Sequence, residues 1–234
     1  MTASPICLAL DTQDAREAAH LVRTLKTSIG MAKVGMELYY AAGADGYRRI
    51  AAEGVPLFLD LKLHDIPNTV RQGLTSLLAL DPRPAIVNVH ATGGSEMLKA
   101  AREAVTAETK LIAVTLLTSL SAGDIAEIGF DAAKGTAGHV VALAQLAQKA
   151  GLDGVVCSPL DLAGVRAACG RDFLTVVPGI RPAEAGVQDQ KRIATPEAAR
   201  AAGADWLVIG RPITAAAEPV QAAQAILASL RVSA

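Results

Sequence analysis

Short apolar runs of strand length alternate along this chain with stretches in which apolar residues recur at helical spacing. Ile6 to Leu10 predicts a strand that ends at Asp11, and Ala15, Ala18, Leu21, Val22, Leu25 and Ile29 then share a helical face. Met31 to Gly35 predicts the second strand, followed by a helix from about Glu37 to Ala52, with Gly54 placed for a left-handed cap. Leu57 to Leu63 is the third, and Val70, Leu74, Leu77 and Leu78 mark its helix. Ala85 to Ala91 and Leu111 to Leu117 follow, with a helix from about Ser95 to Thr106 between them. A short turn near Ile125 precedes a helix over Val140 to Lys149. Gly154 to Ser158, Leu174 to Pro178 and Trp206 to Gly210 complete the strands. The remaining helices are predicted over Leu160 to Cys169, over Pro196 to Ala202, and along Val220, Ala223, Ile226, Leu227 and Leu230.

Eight strand-helix units predict an α/β fold, a single (β/α)8 TIM barrel domain over residues 1–234. Two helix-to-strand joints repeat nearly the same form, Ala150-Gly151-Leu152-Asp153 and Ala202-Gly203-Ala204-Asp205, as repeated barrel geometry would. A doubly wound open sheet would prefer a glycine-rich loop after the first strand, and Asp11-Thr12-Gln13-Asp14 is not one. No stretch rich in Pro, Gly or Ser marks a domain boundary.

Composition narrows the reading further. With 51% apolar but only 3% aromatic residues, the core must be built from Ala, Val, Leu and Ile. A net charge of −1 without basic clusters gives no support for binding nucleic acid or an anionic membrane. The amino end lacks a basic region followed by a long apolar stretch, and no segment approaches membrane-spanning length, so a cytoplasmic protein is expected. Cys7, Cys157 and Cys169 are odd in number and far apart, which predicts buried thiols rather than a disulfide framework or a zinc site.

Phe58-Leu59-Asp60-Leu61-Lys62-Leu63-His64-Asp65-Ile66-Pro67-Asn68-Thr69-Val70 is the stretch that carries chemistry. Side chains alternate along a strand, so Asp60 and Lys62 point the same way, and Asp65 falls near the strand's carboxyl end before Pro67 opens a helix. Ionisable groups so placed are costly unless they pair with one another or with a ligand. A structural ion pair with a helix cap would account for them; Lys33, in another apolar segment, extends the row to Lys, Asp, Lys, Asp, which is not how a core is filled.

Barrel active sites lie at the carboxyl ends of the strands. Asp11, Lys33, Asp60, Lys62, Asp65, Asn88, His90, Thr118, Ser119, Ser158, Arg181 and Arg211 all fall there. Val177-Pro178-Gly179-Ile180-Arg181-Pro182 and Val208-Ile209-Gly210-Arg211-Pro212 share a form, glycine for close backbone approach beside an arginine whose fork matches phosphate oxygens. Ordinary surface pairing is the other role open to these arginines. The long segment Gly179 to Ile193, with Gly186, Gln188 and Gln190, is expected to be a lid over the phosphate.

The stretch from Phe58 to Val70 resembles the signature of the orotidine 5′-phosphate decarboxylase family, whose members make UMP in pyrimidine synthesis. The resemblance extends to Leu8-Ala9-Leu10-Asp11, Lys33-Val34-Gly35-Met36-Glu37, Asn88-Val89-His90-Ala91, Val114-Thr115 with Leu117-Thr118-Ser119, Val177 to Arg181, Asp189-Gln190-Lys191-Arg192 and Ile209-Gly210-Arg211-Pro212, nearly the whole chain in order. It implies a homodimer with shared active sites, without cofactor or metal, acting on orotidine 5′-monophosphate and releasing UMP. It assigns the proton donor to Lys62 and a charged network to Lys33, Asp60 and Asp65, with Asp65 and Thr69 reaching into the partner's site. Asp11 falls to the ribose, Thr118 or Ser119 to the pyrimidine, and Gln190, Gly210 and Arg211 to the phosphate, with Arg181 alongside.

The chemistry of the residues agrees. Loss of CO2 from the ring leaves charge on a carbon that delocalises it poorly, so a fixed cation is needed there. Flanking carboxylates favour the ammonium form of a lysine. They argue against a Schiff-base aldolase, whose lysine needs a depressed pKa. The alternative is a magnesium-dependent sugar-phosphate lyase that shares the Asp, Lys, Asp spacing, as in hexulose-phosphate synthases and keto-gulonate-phosphate decarboxylases; Ile66 to Val70 and Asp189-Gln190 favour the nucleotide enzyme. His20 and His139 are expected to have no catalytic role, and His64 is expected to be a structural hydrogen-bonder.

Overall fold

The structure is a computed structural model, and it describes residues 4–182 and 192–232. Eight strands pair in sequence order, all parallel: β1 (Ile6–Leu10), β2 (Met31–Gly35), β3 (Leu57–Leu63), β4 (Ile86–His90), β5 (Lys110–Val114), β6 (Gly154–Val156), β7 (Leu174–Val177) and β8 (Trp206–Ile209). Pairing of β1 with β8 closes the barrel. This is the predicted (β/α)8 architecture.

Ten helices surround it among the described residues: α1 (Ala15–Leu25), α2 (Met36–Ala51), α3 (Pro67–Leu78), α4 (Gly94–Ala104), α5 (Ala122–Glu127), α6 (Gly135–Lys149), α7 (Leu162–Cys169), α8 (Pro196–Ala201), α9 (Arg211–Thr214) and α10 (Pro219–Val232). None is long and apolar enough to cross a membrane. Local chemistry sets several starts. The Asp14 carboxylate accepts from the Arg16 amide, Pro67 opens α3, and the Thr195 hydroxyl caps α8 ahead of Pro196. Where only a turn is predicted near Ile125, a reciprocal capping box between Ser121 and Asp124 holds a full short helix, α5. The α9 helix is absent from the sequence reading because four residues with one buried side chain, Ile213, show no period. The second helix begins at Met36, one residue early, and kinks at Gly43, whose φ of 59° leaves the helical region.

Predicted strands four to eight all run past the observed ones, in strand five because apolar residues such as Leu116 stay buried after the ladder has ended. Inward positions form one packed cluster, Cys7, Met31, Phe58, Ile86, Ile112 and Val176, while the larger cluster lies between strands and helices. All three cysteines are free and buried, as expected, and burial pushes the Cys7 and Cys157 thiols up to about 12.

The two repeated joints are one device used twice. Asp153 accepts from the Leu111 amide and pairs with Arg102, while Asp205 accepts from the Thr175 amide and pairs with Arg166. Each aspartate thus ties one strand to its neighbour's backbone, and the glycines before them take positive φ, 84° at Gly151 and 100° at Gly203. These ties hold the amino-terminal face and leave the opposite face for chemistry.

Candidate active site

Parallel registration brings the polar ends of the first three strands together: Ala9 lies opposite Lys33 and Gly35 opposite Asp60. From these positions a row of alternating charge forms. Lys62 Nζ donates to Asp60 Oδ1 at 2.7 Å, Lys33 Nζ lies 3.3 Å from Asp60 Oδ2, and Asp11 Oδ1 is 3.9 Å from Lys33 Nζ. Side-chain exposure falls from 56% at Asp11 to 12% at Lys33 and 10% at Asp60, then rises to 26% at Lys62. The row is open at its ends and dry in the middle.

That gradient shapes the electrostatics. Burial works against charge on Lys33, but the carboxylates of Asp60 and Asp11 outweigh it and hold its pKa above the usual lysine value. Burial likewise opposes ionisation of Asp60, yet Lys33, Lys62 and the hydrogen bonds from Lys62 and Asn88 hold it below the usual carboxylate range. Both oxygens of Asp60 therefore face cations.

The row borders a pocket of 290 Å³ lined by Asp11, Lys33, Asp60, Lys62, Thr118, Arg181, Gly210 and Arg211, with Phe58 and Val176 among its apolar walls. The size suits a small ligand. Eight of the predicted site residues thus meet at one cavity. A Cβ on Gly210 would stand 3.1 Å from Asp11 Oδ2, and one on Gly35 would stand 3.2 Å from Lys33 Nζ, so glycine at both positions leaves room for the row. Arg181 is buried, and its amide donates to Ala194 O at 3.0 Å while the Ala194 amide donates to Gly179 O, so the segment after β7 is pinned at both ends. Arg192, partly buried, pairs with the buried Asp161 that follows β6.

Three expected site residues lie outside this pocket lining or outside the described residues. Asp65 does not join the row within the chain: it is exposed, its carboxylate accepts from the Ile66 amide at 2.6 Å, and the fourth member of the row is Asp11. Thr69 is also exposed, on α3, away from the pocket lining. Gln190, with most of the expected lid, lies outside the described residues. Of the two candidates for the pyrimidine, Thr118 lines the pocket and Ser119 does not.

A family model described as Orotidine 5′-phosphate decarboxylase / HUMPS family matches residues 4–226. The chain belongs to that family. A relative from Paramagnetospirillum magneticum named orotidine 5′-phosphate decarboxylase is 46% identical over 235 residues, covering 97% of this chain and 98% of its own. One of the same name from Gluconobacter oxydans is 48% identical over 229 residues and 95% of both chains. The crystal structure of orotidine 5′-phosphate decarboxylase from Lactobacillus acidophilus superposes with a TM-score of 0.80 at 38% identity, covering 97% of this chain and 99% of that one.

Two further features of this family member escaped the site residues chosen from sequence. Asn88, fully buried, donates to Asp60 and accepts from the Lys62 amide. The signal was its polarity at the end of an apolar strand. The His90 ring stands 5.3 Å from that of His64, and burial, His64 and Lys62 in that order lower its pKa, which keeps it neutral near Lys62 at neutral pH. His139 is buried on α6, with Nε2 2.8 Å from Asp131 O, and His20 is exposed on α1, both remote from the pocket lining.

Proposed function

We propose that this chain converts orotidine 5′-monophosphate to UMP and CO2 in de novo pyrimidine biosynthesis, with Lys62 as the acid. The observation that carries the reading is the row Asp11, Lys33, Asp60, Lys62 at the edge of a pocket that Arg181 and Arg211 also line. Breaking the bond to the departing carboxylate leaves its electron pair on the ring carbon. The Lys62 ammonium stabilises that pair and then delivers one N–H proton to it, leaving a neutral amine and UMP. Asp60 aims the ammonium, and Lys33 fixes Asp60 from the other side. Arg181, Gly210, Arg211 and Gln190 take the phosphate, Asp11 the ribose and Thr118 the pyrimidine. Binding energy from the remote phosphate holds the ring against Lys62 and contributes to the chemical step.

A proton from lysine needs neither metal nor cofactor. A magnesium-bound enediolate would call for carboxylate oxygens turned toward a metal, whereas those of Asp60 are turned toward two ammonium groups. We further read the active unit as a homodimer in which Asp65 and Thr69 of each copy complete the other's site. Their exposure after the carboxyl end of β3 supports this, as do the exposed apolar residues Met36, Tyr40 and Ile66, which follow the carboxyl ends of adjacent strands β2 and β3. The direct test mixes purified protein with orotidine 5′-monophosphate in metal-free buffer and follows the substrate's ultraviolet absorbance. Decay of the absorbance that persists with a chelator supports the proposal; no change in the spectrum removes it, and decay abolished by the chelator favours the magnesium lyase.

A further inference from the structure

Among the described residues Lys62 is the only non-glycine with positive φ, at 53°. Regular pairing between β3 and β4 shifts between Leu59 and Leu63, so the strand itself does not hold that backbone. A side chain in the left-handed region persists only where its surroundings over-determine it. The contact that meets this backbone N–H is a side-chain amide. The Lys62 backbone N–H donates to Asn88 Oδ1 at 2.8 Å, while Asn88 Nδ2 donates to Asp60 Oδ1 at 2.7 Å, the same oxygen that receives Lys62 Nζ.

We propose that Asn88 is a positioning residue for the reaction: it fixes the left-handed backbone of Lys62 and the carboxylate of Asp60 together, and so sets where the Lys62 ammonium points. The inference rests on the reading of Lys62 as the proton donor. Its chemistry is specific to asparagine. The Asp60 carboxylate can only accept and the Lys62 N–H can only donate, so the amide has one orientation that satisfies both. An aspartate keeps the acceptor but loses the donor, a leucine of similar size loses both, and an alanine leaves a void and a buried N–H without a partner. Asn88 is fully buried and does not line the pocket, so it acts through Asp60 and Lys62 and not on the ligand.

The test compares the parent with Asn88→Ala and Asn88→Asp in kcat, KM, UMP affinity and melting temperature, with Lys62→Ala assayed in parallel. A misplaced ammonium predicts a fall in kcat of roughly 100-fold for Asn88→Ala in folded protein, with UMP affinity unchanged. Asn88→Asp is expected to raise the pH of the acidic limb of kcat, because Asp60 loses a hydrogen-bond donor and gains a neighbouring carboxylate. The other charged or titratable groups around Asp60 are Lys33, Lys62, Cys7 and His90, with Asp11 beyond Lys33, and none of these is altered. If Asn88→Ala does not fold, Asn88→Ser, which fills part of the volume but cannot span both partners, carries the same expectation. Parent-like kcat in the folded variants overturns the proposal, as does a loss of UMP affinity in proportion to kcat, which general loosening of the barrel would produce. Turnover that survives Lys62→Ala instead overturns the reading of Lys62 itself.

Discussion

Asp60→Asn isolates the central electrostatic element, since it keeps the shape of the side chain and removes its charge. In the native row Asp60 receives Lys62 at 2.7 Å and Lys33 at 3.3 Å. With an effective permittivity of about 20, these separations correspond to gross attractions of roughly 6 and 5 kcal/mol. Most of that is offset by the cost of drying the charges, and removing one partner of a buried pair costs about 3–5 kcal/mol net. Lys62 keeps some contact with water and Lys33 has little, so the penalty falls mainly on Lys33 and belongs near the lower end, about 3 kcal/mol. For a chain of this length that corresponds to a melting temperature lower by roughly 6–12 °C. The new amide also turns an N–H2 toward a group that can only donate, so the Lys62 ammonium loses its aim and kcat falls by about 100-fold or more. Calorimetry and the absorbance assay on the same preparation read both effects. A variant that melts with the parent and turns over within about threefold of it would show that the row is not what holds Lys62, and the argument would fail.

Other expectations follow from the same geometry. Asp60 is held below its usual pKa, so its contribution to stability is present above the unfolded value of about 3.9 and is lost as pH falls through the lower folded value; Lys33 is held above its own, so its contribution is present below about 10.4 and is lost as pH rises through the higher folded value. Because the lowered pKa of His90 leaves it neutral above its usual range, kcat at saturating substrate should be flat from roughly pH 7 to 9, and an imidazole-like inflection inside that window would contradict a neutral His90. Gly210→Ala puts a methyl carbon 3.1 Å from Asp11 Oδ2, so it should raise KM for orotidine 5′-monophosphate more than it lowers kcat, and steady-state kinetics showing the reverse would speak against a binding role for that strand end. Mixing Lys62→Ala with Asp65→Ala protein should restore about a quarter of native activity by forming hybrid dimers with one intact site each, whereas two inactive proteins that stay inactive together would rule out shared sites.

The barrel was readable because its evidence is periodic: eight apolar strand runs and the two Gly-x-Asp joints carry it, and the joints prove to be the same backbone tie. The row was partly readable. Alternation put Asp60 and Lys62 on one face, and they do meet, but through a left-handed lysine that no alternation rule contains. Asp11 beside Lys33 was not visible in the local spacing, because only the pairing of β1 with β2 brings it there, while Asp65 lies outside the row within one chain. Asn88 was visible as a polar interruption, yet its partner Asp60 lies 28 residues earlier, and only the pairing of β3 with β4 brings the two together. The α9 helix, which begins at Arg211, is too short to leave a pattern.

The account depends most on Lys62 acting as the acid, and Lys62→Ala tests it with one spectrophotometric measurement on protein shown to fold and bind UMP. Loss of both the fixed cation and the proton donor predicts turnover lower by at least about 10,000-fold with UMP affinity largely kept. Decarboxylation that continues within about tenfold of the parent would contradict it, because the row would then be scaffolding and the reaction would draw its proton from elsewhere.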